Sequence, residues 1–216
     1  MLTLYLVRHG WTSWHNQRRI CGWSDVSLDR RGKREAQRTG QWFNDHLSGN
    51  PVVLLSSPVR RALQTAQILA GQFESVPTVL VDEGIAETRV PDWQGRLVDE
   101  IIANDPRWPD FYEGPATFRF PGGETGLEVQ ERSVAVVEGL RQSPGEQQVI
   151  LVSHADPLRG IIAHYLGLAA NHYYRLRIDC GSVSRLSLPG TDDKEQPSPP
   201  ARLDFLNVTD HLKDEK

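Results

Sequence analysis

Two histidines in this chain stand directly after short apolar runs: His9, closing LYLVRH, and His154, closing VILVSH. Arginines accompany them, Arg8 beside the first histidine and the pair Arg60 and Arg61 soon after a third apolar run, VVLLS at 52–56. A fourth run, at 78–81, is followed by Asp82, Glu83 and Glu87. Together these types make a phosphoryl-transfer inventory. Guanidinium groups hold phosphate oxygens through paired, charge-assisted hydrogen bonds. An imidazole with an ordinary pKa of about 6.5 can act as a nucleophile near neutral pH, and a carboxyl group can protonate a leaving oxygen. Residue type alone does not choose among the three carboxylates.

Such chemistry requires the four runs to end at one place. Residues 2–7, 52–56, 78–81 and 149–153 read as buried strands, each a brief Val-, Leu- and Ile-rich run without alternation. Helical patterns lie between them. Residues 31–47 offer Ala36, Trp42, Phe43 and Leu47 as inward positions. Residues 58–70 start with Ser57 as N-cap and Pro58 at the first helical position, residues 125–142 put Val129, Val136, Val137 and Leu140 on one face, and a last helix covers 157–166. Strands alternating with helices predict an α/β three-layer sandwich, a mostly parallel sheet with helices on both faces. In open sheets of this kind ligands bind beyond the carboxyl ends of the strands, where the four sets of polar residues fall. The helix start at Ser57 and Pro58 adds backbone donors there.

Residues 175–188 read as strand-like, the stretch PGTDDKEQPSPPA at 189–201 as a mobile surface loop, and 202–208 as a closing strand. The residues after the loop are too few to fold alone, so a single domain over 1–216 is expected. Net charge is −4, from 24 Lys and Arg against 28 Asp and Glu, which recommends neither nucleic acid nor an anionic membrane as partner. Cys21 and Cys180 belong to no CxxC or CxxH cluster, so no structural metal or disulfide framework is expected, and a reducing cytoplasm is the natural compartment. The first apolar run is cut off by Arg8, too short for a signal segment, and no run reaches membrane-spanning length.

Five segments in order, LVRHGWTSW with RICGWSDVSL, SSPVRRALQTA, ETRVPDWQG, PGGET and VSHADPLRG, resemble the signatures of the histidine phosphatase superfamily, which includes the cofactor-dependent phosphoglycerate mutases. The resemblance spans nearly the whole chain, and the ordered set is far more specific than RHG alone. It implies a phosphoglycerate mutase-like fold with His9 as the nucleophile that becomes phosphorylated. Arg8, Arg61 and His154 would surround the phosphoryl oxygens, and Glu87, chosen by its spacing to Gly95, would be the general acid and then the base. A substrate-binding shell of Thr12, His15, Asn16, Cys21, Gly22 and Ala155 is expected beside Arg8 and Arg61. No metal and no cofactor are implied, and the partner is a small phosphomonoester, with a homodimer allowed.

The chain departs from the family pattern at several positions. Trp11 stands where Glu or Gln is common, His15 where an Asn helps bind phosphate, with Asn16 one place later, and Pro91 where a Gly is usual. Either His15 or Asn16 could serve in place of the missing amide. Taken singly, His9 and His154 could be hydrogen-bonded core histidines; the company of Arg8 and Arg61 argues against it. Arg60 reads as a solvated helix residue, Asp25 as a loop-fixing acceptor, Trp14 as packing, and Trp11 as either pocket wall or core. His46, His164, His172 and His211 read as surface or structural groups.

Three functions are compatible with these residues. The first is a metal-independent phosphomonoesterase working through phosphohistidine. Its segment 88–120 lacks the Arg and Tyr clamp expected of a mutase and is rich in aromatics, suited to an organic monoester with some apolar surface. The second is a phosphoglycerate mutase, and the third a non-catalytic module that binds a phospholigand.

Overall fold

The computed structural model describes residues 1–47, 52–142, 147–190 and 201–213. Its strands are β1 (Leu2–Arg8), β2 (Val52–Ser56), β3 (Val79–Val81), β4 (Gln147–Ser153), β5 (Val183–Leu188) and β6 (Arg202–Val208). Its helices are α1 (Ser13–Asn16), α2 (Arg30–Leu47), α3 (Arg60–Ala70), α4 (Val98–Asn104), α5 (Trp108–Glu113), α6 (Gly126–Arg141) and α7 (Ala155–Tyr165). The strands form one sheet in the order β3-β2-β4-β1-β5-β6. The pairs β3/β2, β2/β4 and β4/β1 are parallel, while β5 and β6 add on antiparallel.

The unalternating apolar runs reflect this topology, because a central parallel strand is covered on both faces. Leu2, Leu4 and Leu6 of β1, with Val149 and Leu151 of β4, pack with Leu158, Ile161 and Ile162 of α7 and Val137 of α6. The intervening Tyr5, Val7, Ile150 and Val152 pack with Phe43 and Leu47 of α2 and Ala62, Ala66 and Leu69 of α3. Helices therefore cover both faces, and the expected three-layer α/β architecture is the one observed.

Register sets the position of the site. Arg8 lies opposite Ser153, and Ser56 opposite Val152, so β1, β2 and β4 run out at the same level. The ladder continues one residue further, with the His9 amide donating to Ser153 at 2.9 Å and the Ser57 amide to Val152 at 2.9 Å. Gly10 lets the chain leave β1 against the start of α2: a Cβ there would fall on the Gly32 carbonyl, and one on Gly32 would fall on the backbone of Trp11.

Several expected boundaries move. Helix α3 starts at Arg60 with Val59 as N-cap, not at Pro58 under a Ser57 cap; the Ser57 hydroxyl sits beside the ring of His154. Helix α7 starts at Ala155, two residues before Pro157, because Pro is well tolerated in a first turn. Strand β3 is shorter than 78–81 and is an edge, not buried: Leu80 and Val81 are half exposed. Within 175–188 only Val183–Leu188 is strand, and Ala170–Arg175 forms a 3₁₀ turn. Helices α4 and α5 in the 88–120 segment are not anticipated by the sequence pattern. Most of the anticipated loop at 189–201 lies outside the described residues.

Candidate active site

His9 leaves the end of β1 almost fully buried, and its partners fix its tautomer. Nδ1 is 2.8 Å from the Gly10 carbonyl, which only accepts, so Nδ1 carries the proton. Nε2 then holds a lone pair, toward which Arg61 Nε donates at 3.1 Å. Burial first, then the charges of Arg61 and other neighbours, hold the imidazole well below its ordinary pKa. The ring is a neutral base with its free electrons facing a guanidinium.

Three buried polar atoms around this ring lack a hydrogen-bond partner among the described residues: Arg8 Nε, Arg61 Nη1 and His154 Nδ1. Each belongs to a side chain otherwise firmly held. Arg61, fully buried in the first turn of α3, donates through Nη2 to the Gly22 carbonyl at 2.9 Å. Arg8 donates through Nη1 to the Ile178 carbonyl at 2.7 Å and faces His15 Nε2 at 3.2 Å. His154 sets Nε2 2.8 Å from Ser57 Oγ, and its ring centre is 5.1 Å from that of His9. Burial and then Arg61 keep His154 well below the usual histidine range. Buried guanidinium groups with unmet donors form a receptor for an anion.

The carboxylates separate by position. Asp82 caps the 3₁₀ turn Glu83–Ile85, accepting from the Gly84 amide at 2.7 Å, and Glu83 is exposed. Glu87 alone reaches the histidines and arginines, with Oε2 3.7 Å from both Arg61 Nη2 and His154 Nδ1. Its backbone carbonyl accepts from Trp23 Nε1 at 2.5 Å and from Arg132 Nη2 at 3.0 Å. Burial, reinforced by Asp156, raises its pKa above the ordinary carboxyl value.

A cavity of about 330 Å³ opens over this floor, lined by Arg8, His9, His15, Cys21, Gly22, Glu87, Thr88 and Asp156 at its polar end. Ile20, Val90, Trp93, Trp108, Phe111 and Phe120 line the apolar end, and Arg19 and Tyr174 also face it. Arg61 and His154 lie behind, in contact with lining residues. Of the two candidates for the missing amide, His15 is on the wall. Asn16 Oδ1 instead accepts from Trp11 Nε1 at 3.0 Å. Thr12 is buried with Oγ1 2.8 Å from His15 Nδ1, and Ala155 opens α7 without lining the cavity. His15 Nε2 faces the donor Arg8 Nη2, while Nδ1 accepts from the Thr12 amide at 3.3 Å; burial and then Arg8 lower this imidazole to about 3. Trp11 faces away from the cavity, and Arg60 pairs with Asp25 at an exposed 2.9 Å contact.

Four residues of this region escape the sequence patterns. Ser57 fits a capping role there, and Asp156 and Tyr174 carry no local signal, although Asp156 stands only two positions after His154. Arg132, on α6, spans the turn before Glu87, donating to the carbonyls of Gly84 at 2.8 Å and Ala86 at 2.7 Å. As to metals, ligand atoms of His9, His15 and Cys180 lie within 4.8 Å of one another. The flanking Arg8 and Arg61 oppose a dication there, and burial pushes the Cys180 thiol up to about 11, away from the thiolate a soft metal needs.

The family model of the histidine phosphatase superfamily (branch 1) matches residues 4–195. The chain belongs to this superfamily. It is similar to "Probable phosphoglycerate mutase GpmB" of Erwinia tasmaniensis, 32% identical over 187 residues, covering 86% of this chain and 85% of the relative. Among solved structures it resembles Bacillus stearothermophilus YhfR, with TM-score 0.85 at 27% identity over 99% of this chain and 100% of that one. It also resembles a mycobacterial glucosyl-3-phosphoglycerate phosphatase complexed with VO3, with TM-score 0.82 at 29% identity over 96% of this chain and 99% of that one. This histidine phosphatase superfamily member is thus an enzyme of phosphatase or mutase type. Among its described residues no helix is long and apolar enough to cross a membrane.

Proposed function

We propose that the protein hydrolyses a small organic phosphomonoester through a phosphohistidine at His9 Nε2. The observation that carries this reading is the convergence of three buried polar atoms without a hydrogen bond among the described residues, Arg8 Nε, Arg61 Nη1 and His154 Nδ1, around a histidine whose Nε2 lone pair is free of a proton. In the first step Nε2 forms a bond to phosphorus as the ester P–O bond breaks, and the Glu87 carboxyl gives its proton to the departing alkoxide. In the second, water attacks phosphorus, its proton passes to the Glu87 carboxylate, and the P–N bond breaks to free phosphate and His9. The guanidinium groups meet the charge on the transferring phosphoryl group, so no metal step is needed.

Phosphoglycerate isomerisation is the rival reading, and the character of the cavity beyond the phosphate position favours hydrolysis. Asp156, paired with Arg159 at 3.0 Å, stands beside Glu87, so among the described residues the polar end offers no cation left over there for a carboxylate-bearing substrate. The lining Arg19 is committed to the Gly95 carbonyl at 2.7 Å and Gln17 at 2.8 Å. A monoester panel assayed for both free phosphate and bisphosphate-primed isomerisation tests the choice. Phosphate release well in excess of isomerisation is expected; the reverse makes the protein a mutase, and neither activity makes it a binding module. Rapid quench should trap acid-labile, base-stable label on the wild type and none on His9→Ala.

A further inference from the structure

A second, larger cavity of about 630 Å³ lies behind the catalytic one, and the proposed reaction makes no use of it. Trp11 and Cys180 line it, while His15, on the wall of the catalytic cavity, touches both: its Nε2 is 3.5 Å from Cys180 Sγ and its ring centre 5.1 Å from that of Trp11. His15 thus links the walls of the two cavities. Their chemistry differs. The catalytic cavity is largely apolar beyond its phosphate end, whereas the second is lined by five cationic side chains and two carboxylates.

Three of those cations, Arg31, Arg34 and Arg38, repeat at i, i+3 and i+7 on one face of α2, with Arg38 also donating to the Leu212 carbonyl, and Arg177 and Lys213, the latter paired with Asp210, complete the set. Both carboxylates are already engaged. Glu35 accepts from the Trp11 amide at 2.8 Å and from Arg31 Nε at 2.7 Å, and Asp179 from Arg177 Nε and from Asn207 Nδ2 at 2.9 Å. Arg31 is held further by its guanidinium seated 4.0 Å over the Trp11 ring. The first turns of α2 carry Arg30, Arg31, Lys33 and Arg34 with no acid in the first turn, although Asp29 caps the helix at the Gly32 amide. Cations at that end oppose both one another and the helix dipole, a local cost that a bound anion would offset. In a chain of net charge −4, the five cations lining this cavity exceed the two carboxylates that line it with them.

We propose that this second cavity binds a small, multiply charged phosphate compound through Arg31, Arg34, Arg38, Arg177 and Lys213. Guanidinium forks suit phosphate oxygens, and the volume admits more than one phosphoryl group. The site is separate from the proposed hydrolytic reaction and stands or falls independently of it.

Calorimetric titration of the full chain with tripolyphosphate tests the site, in wild type and in the charge-reversed variant Arg34→Glu/Arg177→Glu. The expected result is saturable binding that weakens at least about tenfold in the variant and weakens with added salt, while kcat/KM for p-nitrophenyl phosphate stays within about twofold. Absence of binding, or equal binding by both proteins, overturns the proposal, the second outcome placing the anion in the catalytic cavity. Should the double variant lose turnover or unfold, Arg34→Gln alone decides: undiminished affinity in that variant overturns the proposal equally.

Discussion

His9, His15 and His154 meet at the end of the sheet, and in all three the same cause, burial ahead of neighbouring charge, favours the neutral ring. Their folded pKa values lie below the unfolded value of about 6.5, so the unfolded chain binds more protons once the pH drops past that value. The stability they contribute is full above about pH 6.5 and is lost as the pH falls, by about 1.4 kcal/mol per pH unit for each histidine until its folded pKa is reached. Thermal melts should therefore show a lower Tm at pH 5 than at pH 7.5, and His15→Gln should flatten that dependence; a Tm independent of pH over this range would contradict it. Glu87 is shifted the other way and keeps its proton to higher pH than a free carboxyl, as a general acid requires. Glu87→Gln should slow turnover of an alkyl phosphate by about 10²–10⁴-fold and phosphohistidine formation from p-nitrophenyl phosphate far less, because the phenolate departs with little need of a proton. Pre-steady-state nitrophenol release should then show a burst followed by slow turnover. Asp82→Asn and Glu83→Gln serve as controls, since neither side chain reaches the cavity, and a selective alkyl-phosphate defect in one of them would transfer the acid role there.

At the level of elements, the placement of Glu87 depends on a contact between distant parts of the chain. Arg132 of α6 ties down the carbonyls of Gly84, Ala86 and Glu87 and is itself held by Glu124 at 2.9 Å. Removing it leaves these carbonyls without that donor and frees the segment to move. Arg132→Ala should lower kcat for alkyl phosphates about tenfold or more, with KM and the rate of His9 phosphorylation by p-nitrophenyl phosphate less affected. Equal loss in both steps would mean that the whole site has shifted. No local pattern announces this role, since Arg132 reads as one more polar residue of an amphipathic helix. By contrast, β1, β2 and β4 are legible because strands covered on both faces carry unbroken apolar runs, and Arg8, His9 and His154 are legible because they come directly after those runs. β3 misleads because its apolar run sits at an exposed edge, with only β2 beside it. α4 and α5, of seven and six residues, are too short to show a period, and α4 buries only Ile101. Ser57 satisfies the rule for a cap, yet its hydroxyl sits against His154 on a different strand end, a neighbour fixed by sheet register rather than by adjacent sequence.

Across the whole molecule, the groups around His9 come from the ends of β1 and β4, the start of α3 and the segment after β3, and their charge is supplied by guanidinium groups. Phosphatase turnover should accordingly persist through exhaustive chelation with EDTA; loss of activity restored by one added metal would exclude the mechanism proposed for His9. The strand order carries a further consequence. β4 lies between β2 and β1, yet residues 57–146 separate it in the chain from β2. On the ribosome, β1 and β2 are made first and cannot pair with each other in the native sheet. β2 can pair with β3 but must wait for β4 at its other edge, and β1 waits at both edges, for β4 and for β5; an open apolar edge is the feature that invites pairing with a neighbouring chain. The interval of translation between β2 and β4 is thus a period in which nascent copies of this protein should be prone to aggregation, and it begins to close when the strand leading to His154 emerges and joins β2 to β1, whose far edge then awaits β5.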